Sequence, residues 1–111
     1  MSTYDLKELV PARSLPLSAS VLYNVPPSTN TVIKQILLSN TQATDLTATL
    51  YFVPDGQSPS NSNSMFPEII IAANNAVTID ISSVLSIGSS IHGKASASSS
   101  INVHISGVEV V

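Results

Sequence analysis

Hydrophobic and polar residues alternate over the last eleven positions, INVHISGVEVV. Ile101, Val103 and Ile105 stand between Asn102, His104 and Ser106. That is the period-two pattern of a strand with one buried face. At Gly107 the apolar parity changes, and Val108 and Val110 flank Glu109. A glycine inside a strand pattern marks a bulge, where one extra residue turns Val108 and Val110 inward.

The same short period recurs along the chain. Val21–Tyr23, Thr31–Asn40, Leu46–Val53, Glu68–Ala72, Ala76–Ser82, Ser90–Ala97 and Ile101–Val110 read as strands, rich in β-branched residues and bounded by Pro, Gly, Asn and Ser. Residues 1–19 carry Pro11 and Pro16 among Leu6, Leu9, Val10, Leu15 and Leu17. Proline removes a strand N–H, so this segment is expected as an extended arm or an edge strand beside a single domain over 20–111. Residues 54–65, PDGQSPSNSNSM, form the longest expected loop. Ser82–Gly88 is expected as one helical turn ended by glycine. Seven to eight short strands with a turn about every ten residues predict an all-β fold, an antiparallel β-sandwich of jelly-roll type.

Parity also suggests pairings. A hairpin centred near Ala43 sets Ile36 against Leu50 and Leu38 against Ala48. Val32, Ile36, Leu38, Leu46, Ala48, Leu50 and Phe52 then share the core face. The opposite face carries Ile33, Leu37, Tyr51 and Val53, covered either by loops and the N-terminal segment or by another subunit. Asn74-Asn75 is expected to turn a hairpin between Glu68–Ala72 and Ala76–Ser82, since Asn tolerates positive φ. A turn at Ser98 points Ile91, Gly93, Ala95, Ile101, Val103 and Ile105 inward, and sets His92 beside His104 on the outer face.

Composition narrows function. Charged residues make up only 10% of the 111 residues, against a usual quarter, so Ser, Thr and Asn carry the polarity. The net charge is −3 and the only basic residues are Lys7, Arg13, Lys34 and Lys94. That is too few for a phosphate-binding cluster, and no nucleic-acid partner is expected. No cysteine is present, which removes disulfides and thiolate chemistry. No membrane-length apolar run and no signal-peptide layout occur, so neither membrane insertion nor export is expected.

Candidate chemistry is sparse. Two histidines fall short of a zinc site, which needs at least three protein ligands. No Gly-x-Ser-x-Gly elbow and no glycine-rich phosphate loop occur. Glu68 and Asp80, on neighbouring expected strands, are the only carboxylate pair that stands out, without sign of the cleft that glycoside hydrolysis needs. Sugar binding lacks an aromatic platform, because there is no Trp and Phe52 is assigned to the core. No cofactor, metal or catalytic residue is expected.

Three stretches carry a resemblance. They are Val21-Leu22-Tyr23-Asn24-Val25-Pro26-Pro27 with Val32, Ile36, Leu38 and Asn40; Leu50 through Val53-Pro54 with the polar loop; and Ile101 through Val110. Together they resemble small β-sandwich structural proteins of tailed bacteriophages, with an LY-x-VP strand, an I-x-L-x-N strand and a closing V-x-V-x-I-x-G-x-E strand. The likeness spans residues 20–111. It is similar to a Bacillus siphophage tail-region protein and to the shoulder domain of lactococcal phage receptor-binding proteins. The resemblance implies a non-enzymatic virion component, placed in the tail, baseplate or head surface with the tail/baseplate region favoured, assembled in the host cytoplasm. Its partners would be other virion proteins or further copies of itself. The alternative class is a module that binds host-surface carbohydrate. No catalytic residue is transferred by the resemblance.

Overall fold

In the computed structural model, which describes residues 3–111, the alternation of the last strand runs unbroken. The strands are β1 (Tyr4–Ser14), β2 (Ser20–Asn24), β3 (Asn30–Asn40), β4 (Leu46–Val53), β5 (Ser64–Ile71), β6 (Ala76–Leu85), β7 (Ser90–Ala95) and β8 (Ile101–Val110). They form two antiparallel four-stranded sheets, ordered β1-β8-β3-β6 and β2-β7-β4-β5. Strands 1 and 8, 2 and 7, 3 and 6, and 4 and 5 are all partners. The chain is thus one long hairpin, doubled at residues 54–63 and wrapped on itself, which is the eight-stranded jelly roll.

The core lies between the sheets. Val10, Ile33, Ile36, Leu38, Leu50, Ile71, Ile91, Ile101, Val103 and Ile105 are fully buried there. Burial of each such side chain contributes about 1.5–3 kcal/mol relative to exposure. Phe52 and Phe66 meet edge to face at 5.9 Å near the core boundary.

All six residues assigned inward on β7 and β8 are buried. The strand pairings expected from short turns are not found, with one common cause. The connections β3–β4, β5–β6 and β7–β8 each cross from one sheet to the other. Ile36 therefore pairs with Ile105 and Ile79, and Leu38 with Val103 and Val77, rather than with β4. Asn74 does adopt positive φ (55°), but it turns the chain between sheets. Glu68 and Asp80 accordingly lie in different sheets. Residues 82–88 form no helix: β6 continues to Leu85, and a single hydrogen-bonded turn follows, closed by the Ser89 N–H on the Ser86 carbonyl at 3.1 Å with Gly88 at positive φ (83°).

The first sheet fans out around Gly107. Between the levels of Gly107 and Ile105, β8 advances two residues. Over the same interval β1 advances three (Lys7 to Val10), β3 three (Ile33 to Ile36) and β6 four (Ser83 to Ile79). The extra residues therefore sit in the neighbouring strands, and β8 itself does not change facing. Gly107 and Glu109 stay inward, while Val108 and Val110 lie half-buried on the outer side. Gly107 is required by this crowding. A Cβ there would lie 2.1 Å from the Val32 carbonyl oxygen and 2.9 Å from Leu9 Cδ1. The bulge at Lys34 also reassigns β3, turning Ile33 rather than Val32 into the core.

Residues 54–63 are tied by their own side chains. Asn63 is buried. Its side-chain oxygen accepts from the Ser60 N–H at 2.9 Å, and its amide donates to the Ser58 carbonyl at 2.9 Å.

Candidate functional site

The expected subunit-interface set is dispersed by the fold. Ile33 is fully buried in the core, because the bulge at Lys34 turns it inward, so it belongs to no outer face. Tyr51 and Val53 are buried outside the core cluster. Tyr51 borders a depression shared with Asn61, Ser64 and Pro67, at the foot of the 54–63 loop. Only Leu37 is exposed, at 37%, on the outer face of the first sheet.

The two histidines point outward from their strands but do not pair. His92 lies on β7 in the second sheet and His104 on β8 in the first, so the sandwich separates them. The β7–β8 connection crosses sheets, and this removes the register that joined them. His104 Nε2 lies 2.9 Å from Glu8 Oε2 on β1. His92 Nδ1 lies 3.2 Å from the Ser90 hydroxyl, and burial lowers the His92 pKa below its usual range. Among the described residues, no group of three or more His, Asp or Glu is placed to hold a metal ion.

A polar cluster that residue types alone did not single out joins the sheets at one end. Glu109 is only 6% exposed. One carboxylate oxygen accepts from the Tyr23 hydroxyl at 2.5 Å, and the other from Lys7 Nζ at 3.0 Å. The Tyr23 oxygen also lies 2.8 Å from the Thr31 hydroxyl. Hydrogen bonding from Tyr23, then from Lys7, holds the Glu109 pKa below the usual carboxylate range against its desolvation. Desolvation, with the Glu109 contact added, raises the Tyr23 phenol. A paired buried acid of this kind staples β2 of one sheet to β1, β3 and β8 of the other. Its signals in the sequence were the tyrosine of LY-x-VP and the terminal glutamate of the closing strand.

The outer face of the first sheet carries the most extended surface feature. Leu6, Val108, Val32 and Val84 are successive cross-strand partners over β1, β8, β3 and β6. Leu6 is 84% exposed and Val84 66%, with Val108 and Val32 half-buried between them. Tyr4 and Val110 extend this row toward the end of the sheet. The next row, Glu8, Ser106, Gln35 and Asp80, is polar, with Gln35 Nε2 donating to Asp80 Oδ1 at 3.2 Å. Exposed apolar bands rimmed by polar groups mark interaction surfaces when they are contiguous.

The second sheet instead bears a shallow polar depression lined by Thr49, Tyr51, Ser64, Glu68 and Lys94. Glu68 sits at positive φ (43°), and its N–H donates to the Thr49 hydroxyl at 3.1 Å. The buried Ser64 hydroxyl has no hydrogen-bond partner among the described residues.

Comparison with known proteins shows the fold. No protein-family model matches the chain, and no curated protein matches it. Among solved structures it is similar to Bacillus endospore appendages, described as a family of disulfide-linked pili. That match has a TM-score of 0.59 and 11% identity, and covers 98% of this chain and 88% of that one. The structure of infectious bursal disease virus, Gx strain, also aligns, with a TM-score of 0.46 and 11% identity. It covers 99% of this chain and 31% of the viral one. With no cysteine here, disulfide linkage has no counterpart in this chain.

Proposed function

We propose that this chain is a non-enzymatic structural or adaptor component of an assembled particle, a tailed-bacteriophage virion, placed in its tail or baseplate region. The observation that carries the reading is the apolar row Leu6–Val108–Val32–Val84, which crosses the whole outer face of one sheet with Leu6 and Val84 exposed among the described residues. Residues presented this way on a rigid sandwich serve packing against neighbouring subunits. The virion assignment rests on the motif resemblance over residues 20–111. Partners are other virion proteins and copies of the same chain, and Leu37 on that face belongs to the proposed contact surface. Immunogold labelling of intact particles tests the reading. Label on the tail or baseplate supports it, and absence of the chain from purified virions overturns it.

A second reading is a module for host-surface carbohydrate. The depression around Thr49, Ser64, Glu68 and Lys94 favours it, because the Glu68 carboxylate and the Lys94 ammonium border it and could hydrogen-bond sugar hydroxyls. Glycan-array binding lost on Lys94→Ala would make this the better account.

A further inference from the structure

The jelly roll has four free strand edges, and they are not alike. β1 carries Pro11, four charged residues (Asp5, Lys7, Glu8, Arg13) and two register shifts. β2 is five residues long with a shift between Val21 and Tyr23. β5 contains Pro67, the positive-φ Glu68 and two register shifts. Each of these devices blunts an edge against pairing with another chain. β6 has ten residues, AVTIDISSVL, with no Pro, no Gly and a single charge at Asp80. Its one irregularity lies at Ile81–Ser82, opposite Lys34. Ala76–Asp80 is regular, pairs with Gln35–Ser39 on one side, and has no strand partner on the other among the described residues.

We infer that the Ala76–Asp80 edge is a self-association site, where β6 pairs antiparallel with β6 of a second copy and joins two first sheets into one. The inference rests on reading the chain as an assembly component. The other three edges are obstructed, so the matching partner for this edge is another β6, which makes the contact isologous and twofold. Side chains select the register. Centring on Asp80 would set two carboxylates directly opposite, which is unfavourable. Centring on Thr78 sets Thr78 against Thr78 of the second copy and Ala76 against Asp80. On the inner side it sets Val77 against Ile79 twice. Those two residues are only half-buried within one chain, and the second copy completes their cover. On the outer side the contact continues into Leu37, the cross-strand neighbour of Thr78. There Leu37, Ala76 and His104 border an apolar depression of about 330 Å³. A five-residue strand pair is small, so the isolated dimer is weak and depends on concentration, and repetition within a particle reinforces it.

Thr78 is exposed, and the chain has no native cysteine, so Thr78→Cys tests the register without competing thiols. Thr78→Cys is expected to form an intermolecular disulfide on mild oxidation, rising with protein concentration. Gln57→Cys, exposed in the 54–63 loop and outside both β6 and the apolar row, is expected to give at least fivefold less. Sedimentation of the unmodified chain should show dimer growing with concentration, and Thr78→Asp should abolish it. A wild-type chain monomeric at all concentrations overturns the inference, as does cross-linking at Gln57→Cys equal to that at Thr78→Cys. A monomeric chain still found in virions would overturn the pairing alone. A dimer absent from virions would overturn the particle reading alone.

Discussion

The Tyr23 hydroxyl donates to the Glu109 carboxylate across the sandwich, from β2 in one sheet to β8 in the other. The contact closes one end of the core with a charge, and Lys7 and Thr31 satisfy what remains of the pair. Breaking it from one side leaves a buried carboxylate short of a donor. Tyr23→Phe is expected to destabilise the fold by about 1–3 kcal/mol. Chemical denaturation would show this, and a loss below about 0.5 kcal/mol would remove the staple from the stability account.

The same cluster sets a pH window. The folded Glu109 pKa is depressed, so its contribution is complete above the ordinary value of 4.5 and is lost as pH falls through the lower folded value. Tyr23 and Lys7 are raised from 10.0 and 10.5, so their contributions are complete below those values and are lost as pH rises beyond them. Stability from this cluster is therefore expected to be flat from about pH 5 to 9 and to decline on both sides. In Glu109→Gln the staple's part of the acid decline should vanish, which urea titrations at several pH values would measure.

Gly107 and Gly56 separate crowding from backbone conformation. Gly107→Ala drives a methyl into the Val32 carbonyl and is expected to cost about 3 kcal/mol, the upper end for overpacking. Gly56 has positive φ (79°) and open space where a side chain would stand, so Gly56→Ala should cost only about 1–2 kcal/mol. Equal thermal midpoints for the two variants would contradict the fanned geometry around β8.

His92 and His104 stand on opposite outer faces, so substitutions at the two should be independent. Their combined effect is expected to match the sum within about 0.5 kcal/mol. A coupling larger than 1 kcal/mol, or a zinc-dependent rise in melting temperature that needs both, would contradict the separation of the sheets.

Leu6 and Val84 end the apolar row on its two edge strands. Leu6→Ser with Val84→Ser is expected to change stability by no more than about 0.5 kcal/mol per site, because both are already exposed. Incorporation into particles should fall sharply, as co-sedimentation with purified virions would measure. A variant that folds and incorporates normally would remove this row as the contact surface.

Period-two alternation disclosed which side of each strand faces the core, and it did so well on β7 and β8, where all six inward assignments are buried. It said nothing about which strand lies alongside. Short turns at Ala43, Asn74 and Ser98 suggested hairpins, but each joins strands of different sheets. Adjacency in a jelly roll is set by the wrapping of the whole chain, and local turn chemistry does not encode it. The bulge at Lys34 was illegible for a related reason. It lies beside Gly107 of β8, some seventy residues away in the chain, where the strands pack too closely for a Cβ. Glu109 was hidden because a charged residue at an inward position reads as a break in the pattern until Tyr23 and Lys7 are brought to it.

The doubled, wrapped chain has a kinetic corollary. Among the described strands, β4 and β5 alone are both consecutive and paired. Every other pairing must close a longer stretch of chain, and the β1–β8 ribbon closes the longest, joining Tyr4 to Val110. Loop closure of this kind slows folding. Ranked by the length of chain they must close, these pairings nest: β4 with β5, then β3 with β6, then β2 with β7, and finally β1 with β8. The residues that tie the 54–63 loop, Asn63 above all, thus hold together the shortest of these closures.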